Sequence, residues 1–193
     1  NYINTNSLSY TLSETLANAT LLITRVGGAN DENSPKTISL TSKELGKGFY
    51  SDVILTNEPK LNNGSIYTFE ITGQDYASNN ANAVIVENIS FDNQSPEISI
   101  SRPIDAEQIK STVISYSSSE NLENATVVFT QTSGTVDVNS PHIVPLFDKQ
   151  LQKGVHSDFD IGITPQLADG GRYNVTIEAF DRAGNPATVQ TIK

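Results

Sequence analysis

The side chains best suited to binding chemistry in this chain are carboxylates and carboxamides near predicted turns. They are Asp92, Asn93, Glu120, Asp181 and Asn185. Calcium prefers hard oxygen ligands of this kind, roughly six to eight of them. Converging carboxylates repel one another, and a divalent cation relieves that repulsion. These residue types therefore make calcium the candidate cofactor. The alternative is that the Asp and Asn side chains hydrogen-bond the amides of their own turns.

Catalysis has little support in the residue types. Cys is absent, which excludes disulfides, thiol chemistry and cysteine-ligated metals. The chain has two histidines, His142 and His156, and neither is flanked by a nucleophile elbow or a paired base. No glycine-rich phosphate loop precedes a helix. We therefore expect no enzymatic activity.

Composition narrows the classes of partner. The chain has 193 residues, of which 36% are hydrophobic and 18% charged. Lys and Arg number 12 against 22 Asp and Glu, and the net charge is −10. An acidic chain without a basic cluster does not favour binding to nucleic acid or to an anionic membrane surface. No apolar run approaches the roughly 20 residues of a membrane span, so we expect no membrane insertion.

An internal repeat organises the chain. Shifted by 106 residues, the sequence matches itself without gaps, with about 30 identities over roughly 80 positions. Matched segments include Asn18–Thr20 with Asn124–Thr126 and Asn33–Pro35 with Asn139–Pro141. The histidines fall outside the identities, since His142 aligns with Lys36 and His156 with Tyr50. We expect two domains, residues 1–92 and 93–193.

Strand signals dominate both repeats. Apolar and polar residues alternate in short runs bounded by Gly, Pro, Asn and Asp, a pattern typical of antiparallel strands. The runs in the second repeat are residues 96–102, 112–118, 125–132, 142–146, 155–163, 173–180 and 187–192. This predicts an all-β protein of two tandem immunoglobulin- or fibronectin-III-like antiparallel β-sandwiches, with about seven strands each. In the run 155–163, alternate residues are expected to share one face: Val155, Ser157, Phe159, Ile161 and Ile163.

The first repeat has no counterpart of the opening strand, Pro96–Arg102. We therefore expect its sheet to have an uncovered edge or to be patched by Asn1–Ile3. This register also suggests excision from a longer tandem array, with the native chain continuing at both ends. Apolar residues shared by the repeats predict equivalent cores. The pairs are Leu16/Leu122, Leu40/Leu146, Leu45/Leu151, Leu61/Leu167 and Ile71/Ile177. Tyr67 and Tyr173 are expected to be buried or corner tyrosines.

The segment Tyr173–Asn185 resembles the penultimate strand and corner of bacterial immunoglobulin-like repeats. The inter-repeat Asp92–Pro96 is similar to their Asp-x-x-x-Pro junction. The first repeat departs at its corner, where Ser78 replaces the glycine. Such repeats occur in large surface-attached or secreted proteins of adhesin type. The resemblance therefore implies an extracellular or cell-surface location and an adhesion context.

Together these observations predict a non-enzymatic spacer whose partners are the neighbouring repeats of the same chain. In a seven-stranded sandwich the second–third and sixth–seventh loops lie at the same end as the entering linker. The predicted calcium ligands are thus expected at the junction between the repeats. Two alternatives remain open. One is a module that binds a glycan or surface protein through its end loops, and the other is a set of accessory domains in an extracellular hydrolase.

Overall fold

A computed structural model of the chain describes residues 1–163, 166–187 and 191–192. It forms two compact units, Asn1–Gln94 and Ser95–Lys193. Within those residues, both units consist of β-strands with one short 3-10 helix each, at Ser42–Glu44 and Asp148–Leu151. The predicted all-β class is confirmed. Neither of these helices in the described residues has the length and apolar character needed to cross a membrane.

Seven strands build the first unit. In chain order they are β1 (Tyr2–Ile3), β2 (Ser7–Leu12), β3 (Leu16–Gly28), β4 (Lys36–Ser39), β5 (Gly48–Ile54), β6 (Ser65–Asp75) and β7 (Val84–Phe91). One sheet has the order β1-β7-β6-β3-β4, and the other is the pair β2-β5. All pairings are antiparallel except that of β1 with β7.

The second unit follows the same course. Its strands are β8 (Ile98–Arg102), β9 (Val113–Ser118), β10 (Leu122–Gly134), β11 (His142–Pro145), β12 (Gly154–Asp160), β13 (Gly171–Asp181) and β14 (Thr191–Ile192). They form the antiparallel sheets β11-β10-β13-β14 and β12-β9-β8. Of the predicted last strand, residues 188–190 lie outside the described residues.

The two sheets of each unit enclose an apolar core. In the second unit, the buried residues include Ile98 and Ile114 from one sheet and Val127, Phe129 and Ile177 from the other. Alternation along β10 places Ala125, Val127 and Phe129 inward, as period-2 geometry requires. The first unit has its own core, with Leu21, Ile23 and Tyr67 at its centre. Each core is thus built within one unit.

Glycine is required where two turns meet in each unit. Gly28 and Gly134 both have positive φ, at 69° and 87°. A Cβ on Gly28 would lie 2.2 Å from the carbonyl oxygen of Gly64, and one on Gly134 would lie 2.2 Å from that of Gly170. Only glycine permits both this backbone region and this approach. The repeated Gly pairs therefore set how β3 and β10 end against the next long strand.

The face assignment predicted for residues 155–163 is wrong for Val155 and Ser157, which are exposed, whereas Phe159, Ile161 and Ile163 contact the core as predicted. Val155 is 76% exposed, whereas Phe159 packs against the core. The pairing of β12 with β9 shifts register between His156 and Phe159, and Asp158 in the gap has φ of 47°. This bulge adds one residue to β12, so the inward side chains are even-numbered before it and odd-numbered after it. His156 and Phe159 are the inward residues on its two sides.

The edges of the two units differ in the way the missing opening strand suggests. In the second unit, β8 pairs with β9 and covers its edge. In the first unit, β2 is the equivalent of β9, and it pairs only with β5. Of the predicted patch Asn1–Ile3, residues Tyr2–Ile3 do form a strand, but this strand pairs with β7 in the other sheet. The N-terminal residues therefore extend the β7 edge and leave the β2 edge open.

Core truncation tests the equivalence of the two cores. Ile177 is 1% exposed, whereas Ile71, its counterpart, is only partly buried. We expect Ile177→Ala to lower the free energy of unfolding of the second unit by about 2–5 kcal/mol. Ile71→Ala in the first unit should cost less, since its side chain already contacts solvent. Native-state hydrogen exchange of the β13 and β6 amides measures both losses in the intact chain. Equal losses would contradict this account.

Candidate functional site

The histidines are the first candidates for chemistry, and His142 lies in a buried polar network. Its Nε2 donates to Asp137 Oδ2 at 2.7 Å, because an ionised carboxylate only accepts. The hydroxyl of Tyr173 donates to the same oxygen at 2.6 Å and accepts from the Ala168 amide at 2.9 Å. His142 and Asp137 are both buried. The network ties β11, β13 and the loop carrying Asp137 together.

The first unit contains the same network with lysine in place of histidine. The Tyr67 hydroxyl donates to Asp31 Oδ2 at 2.7 Å and accepts from the Asn62 amide at 2.9 Å. Lys36 donates to that carboxylate as well. Because Lys36 and His142 occupy equivalent positions, the imidazole of His142 serves as an alternative donor to a buried carboxylate.

These contacts shift the pKa values of the groups involved. Hydrogen bonds from Tyr173 and His142 hold the pKa of Asp137 well below its usual range and outweigh its burial. Burial raises the pKa of the Tyr173 hydroxyl, and its bond to Asp137 adds to that rise. In the first unit, burial acts to raise the pKa of Asp31, but hydrogen bonds from Lys36 and Tyr67 lower it overall. Both aspartates are therefore held ionised by their partners.

The second histidine has a structural counterpart too. His156 stacks on Tyr116 with ring centroids 4.7 Å apart, as Tyr50 stacks on Tyr10 at 4.6 Å. His156 Nε2 lies 2.8 Å from the carbonyl oxygen of Gln152. The Tyr50 hydroxyl donates to the equivalent carbonyl, that of Gly46, at 3.0 Å. His156 therefore replaces an aromatic ring together with its hydrogen bond.

A buried glutamate was missed by the sequence analysis. Glu44 accepts the amides of Thr41 and Thr56 at 2.5 and 2.6 Å, and so closes the loop around the 3-10 helix. Burial opposes ionisation of Glu44, but these hydrogen bonds outweigh it and lower its pKa. Gln150 stands at the equivalent position and accepts the Phe147 amide at 2.9 Å. The shared requirement is a side-chain oxygen, so the charge itself is dispensable there.

The predicted calcium ligands Asp181 and Asn185 form a closed corner. Asp181 Oδ1 accepts the amides of Ala183 and Asn185 at 2.8 Å each, and its Oδ2 accepts the Asn185 carboxamide at 2.7 Å. In the first unit, Asp75 binds the amide and carboxamide of Asn79 in the same way. The corner holds in both units although Ser78 stands where the second has Gly184, because Ser78 adopts φ of 69°. Asp181 thus acts as a turn former.

Glu120 belongs to the same unit and lies beside this corner. Carboxylate oxygens of Glu120 and Asp181 lie within 4.8 Å of each other. The Glu120 carbonyl also accepts the Ser118 hydroxyl at 2.7 Å, which fixes the turn between β9 and β10. The structure therefore brings together Glu120, Asp181 and Asn185 among the predicted ligands. Asp181 retains acceptor capacity beyond its turn bonds, since a carboxylate has about four lone-pair positions.

Asp92 and Asn93, the other two predicted ligands, end the first unit. The Asp92 amide donates to the carbonyl of Ile3 at 2.9 Å, and Oδ1 of the Asp92 side chain accepts a hydrogen bond from the Gln94 amide at 3.1 Å. The Asn93 amide donates to Asn63 Oδ1 at 2.9 Å. Both residues therefore fasten the end of β7 to neighbouring segments of their own unit.

Known proteins add no assignment to this geometry. No protein-family model matches the chain, and no curated protein matches it in sequence. The functional interpretation therefore rests on the residues and their contacts. The aligned Asp31 and Asp137, identical between the repeats, were the sequence signal that could have located the buried networks.

The pKa of Asp137 predicts a response to acid. A carboxyl whose pKa is lowered by folding stabilises the protein at any pH above its pKa in the unfolded chain, which is about 3.9. This contribution is lost as the pH falls through the pKa of the folded state. We expect Asp137→Asn to lower the melting temperature of the second unit at about pH 7. The variant should then lose less stability than the unchanged chain between about pH 4 and pH 2. Melting followed by circular dichroism measures this dependence.

Asp31→Asn provides the matched control in the first unit. Hydrogen exchange at neutral pH should place the effect of Asp31→Asn in β3 and β6, and that of Asp137→Asn in β10 and β13. If Asp137→Asn leaves the acid dependence unchanged, the buried network is not its source.

Proposed function

We propose that this chain is a non-enzymatic structural segment, a spacer made of repeated immunoglobulin- or fibronectin-III-like sandwiches. One observation carries the proposal. The side chains in one unit that could take part in chemistry have counterparts in the other unit. Both sets make their hydrogen bonds within their own unit. Asp137, His142 and Tyr173 match Asp31, Lys36 and Tyr67 in this respect. A binding or catalytic site needs some of these groups to face a ligand.

The immunoglobulin-like assignment draws support from strand order. The seven strands described in the second unit divide into a sheet of three and a sheet of four around one core. A division of this kind is typical of seven-stranded immunoglobulin-type sandwiches. The resemblance of Tyr173–Asn185 to bacterial immunoglobulin-like repeats extends the proposal to a large surface-attached or secreted protein in an adhesion context. The chain would act outside the cell, with neighbouring repeats as its partners.

The absence of enzymatic activity is also part of the proposal. The hydrogen-bonding partners of His142 and His156 are a carboxylate and a backbone carbonyl of their own unit. An imidazole that acts as a general base must instead reach the proton of a nucleophile or substrate. Both histidines replace residues of different chemistry, Lys36 and Tyr50, without loss of the local contacts.

Exchange of exposed loop residues between the units tests the spacer against a binding module. Tyr76 and Arg182 are equivalent, exposed residues in the corner loops. We expect the double variant Tyr76→Arg/Arg182→Tyr to leave surface attachment unchanged when the chain is placed between a membrane anchor and a binding head. Replacement of the chain by a Gly/Ser linker of equal length should reduce attachment, because such a linker is a random coil.

Loss of binding in the double variant would contradict the spacer role. If the double variant folds normally but abolishes binding to a glycan array or an immobilised matrix protein, the chain is a binding module that acts through its end loops. Hydrolysis of a polysaccharide by the parent protein, lost when this chain is deleted, would favour an accessory role in a hydrolase.

We also propose that calcium binds through the carboxylates predicted from the sequence. Support comes from ligand chemistry: Glu120 and Asp181 lie close together in the second unit, and their oxygens are of the type calcium prefers. The parts assigned to Asp92 and Asn93 rest on the sequence alone. Calcium would offset the repulsion between carboxylates and stiffen the end of the unit.

Melting with calcium and with chelator tests this proposal. A site that binds only the folded state adds about 2.7 kcal/mol at a calcium concentration 100 times its dissociation constant. We expect calcium to raise the melting temperature and Glu120→Gln to remove the response. Glu14→Gln, at the equivalent position of the first unit, is the matched control. Glu120 is preferred to Asp181 because Asp181 also closes its turn. An unchanged melting temperature would leave these carboxylates as turn formers and surface charge.

A further inference from the structure

The first unit contains an apolar groove that none of its own strands covers. It has a volume of about 640 Å³ and lies between β2 and the edge of the other sheet. Its walls include Leu8, Tyr10 and Leu12 of β2, Ile71 of β6, and Val84 and Val86 of β7. Val84 is 61% exposed. Apolar side chains thus line an opening at a sheet edge, next to backbone groups that can still pair.

The second unit shows what covers the same place. There β8 pairs with β9, and Ile98 and Ile100 insert into the core, 7% and 6% exposed. Beneath them Tyr116 is fully buried, whereas its equivalent Tyr10 is half-buried. Ile177 is buried under the same cover, and Ile71 is not. The groove in the first unit is therefore the space that two alternate side chains of an added strand occupy.

A basic side chain completes the match. In the second unit, Arg102 Nη1 lies 3.1 Å from Asp158 Oδ1, which the Ser115 hydroxyl also contacts. The first unit keeps the acceptor half of this arrangement. Asp52 stands at the equivalent position with the same left-handed backbone, φ 51° against 47°, and contacts the Ser9 hydroxyl. The first unit thus has, on β5 next to Ser9 of β2, the carboxylate that faces the arginine of the covering strand in the other unit.

We propose that this groove is an acceptor site for an extended peptide segment of the pattern Ile-x-Ile-x-Arg. The segment adds to the sheet antiparallel to β2 by main-chain hydrogen bonds. In the register of the second unit, its first isoleucine lies opposite Leu12 and its second opposite Tyr10. Its arginine approaches Asp52.

The occupant is an unpaired peptide segment and not a folded second copy. In a second copy β8 is already paired, and its isoleucines are buried in their own core. Pairing of β2 with β2 of another copy would satisfy backbone groups but could not fill the groove, because the inward side chains of each β2 face their own core. The groove requires side chains that have no other place to be buried.

The probe is a synthetic peptide with the sequence of residues 96–103, Pro-Glu-Ile-Ser-Ile-Ser-Arg-Pro, added to the 193-residue chain. At about ten times its dissociation constant, the amides of Ser7–Leu12 should exchange about tenfold more slowly with solvent, as about 90% occupancy requires. A peptide with serine at both isoleucine positions is the control and should give no protection. Asp52→Asn should weaken the binding of the first peptide without changing the fold of the chain.

A tethered version keeps the test decisive when free peptide binds weakly. Residue 107 aligns with Asn1, so residues 96–106 placed directly before Asn1 reproduce the spacing of the second unit. Tethering raises the effective concentration to the millimolar range. This extension should protect Ser7–Leu12 and raise the melting temperature, and the same extension carrying Ile98→Ser and Ile100→Ser in its added copy should do neither.

Three results would overturn the proposal. The first is equal exchange at Ser7–Leu12 with the peptide, with the tether and with their serine controls. The second is protection of Val113–Ser118, which would mean that the peptide replaces β8. Protection of β2 that rises with protein concentration in the absence of peptide, with dimers in sedimentation, would identify a second copy as the occupant.

Discussion

The bond between a tyrosine hydroxyl and a buried aspartate carboxylate holds each unit in its form. Tyr67 and Tyr173 stand on the long central strands β6 and β13, and Asp31 and Asp137 stand in the loop after the other long strand. An ionised carboxylate inside a small sandwich is costly unless every oxygen is bonded. The chain meets that requirement with a tyrosine, a cation or imidazole, and a backbone amide. This requirement fixes the path of the loop and the depth of the tyrosine at the same time.

Divergence between the repeats follows the same constraint. The donor beside the carboxylate changes from Lys36 to His142, and the acceptor in the 3-10 loop changes from Glu44 to Gln150. Donors and acceptors are preserved while charge and size vary. A protein under selection for a folded shape tolerates such exchanges, because a hydrogen bond can be made by several side chains. The pattern explains why each of the two histidines stands where the first repeat has a residue of another type.

The open edge of the first unit shows what a sandwich exposes where a strand at its edge has no neighbour. In the second unit, β8 supplies two isoleucines to the core and covers the edge of β9. In the first, the five-stranded sheet gains β1 at β7, but the sheet of β2 and β5 gains nothing. Burial of Tyr10, Leu8 and Ile71 is therefore incomplete. Backbone pairing at one edge does not compensate for missing side chains at another, since a strand fills the core only where its side chains point.

Sequence alone determined the all-β class and most strand positions, because period-2 alternation and turn residues are local properties that survive without tertiary contacts. It also located the repeat, and with it the equivalent positions that carry the core, such as Leu16/Leu122 and Leu40/Leu146. The tertiary structure decided which strand edge Asn1–Ile3 covers and which face Val155 occupies. Pairing partners are distant in sequence, and one bulge reverses the faces of a strand. It also decided that Asp181 closes its own corner and that Asp31 and Asp137 are buried, since the residue type of a carboxylate does not reveal which donors folding brings to it.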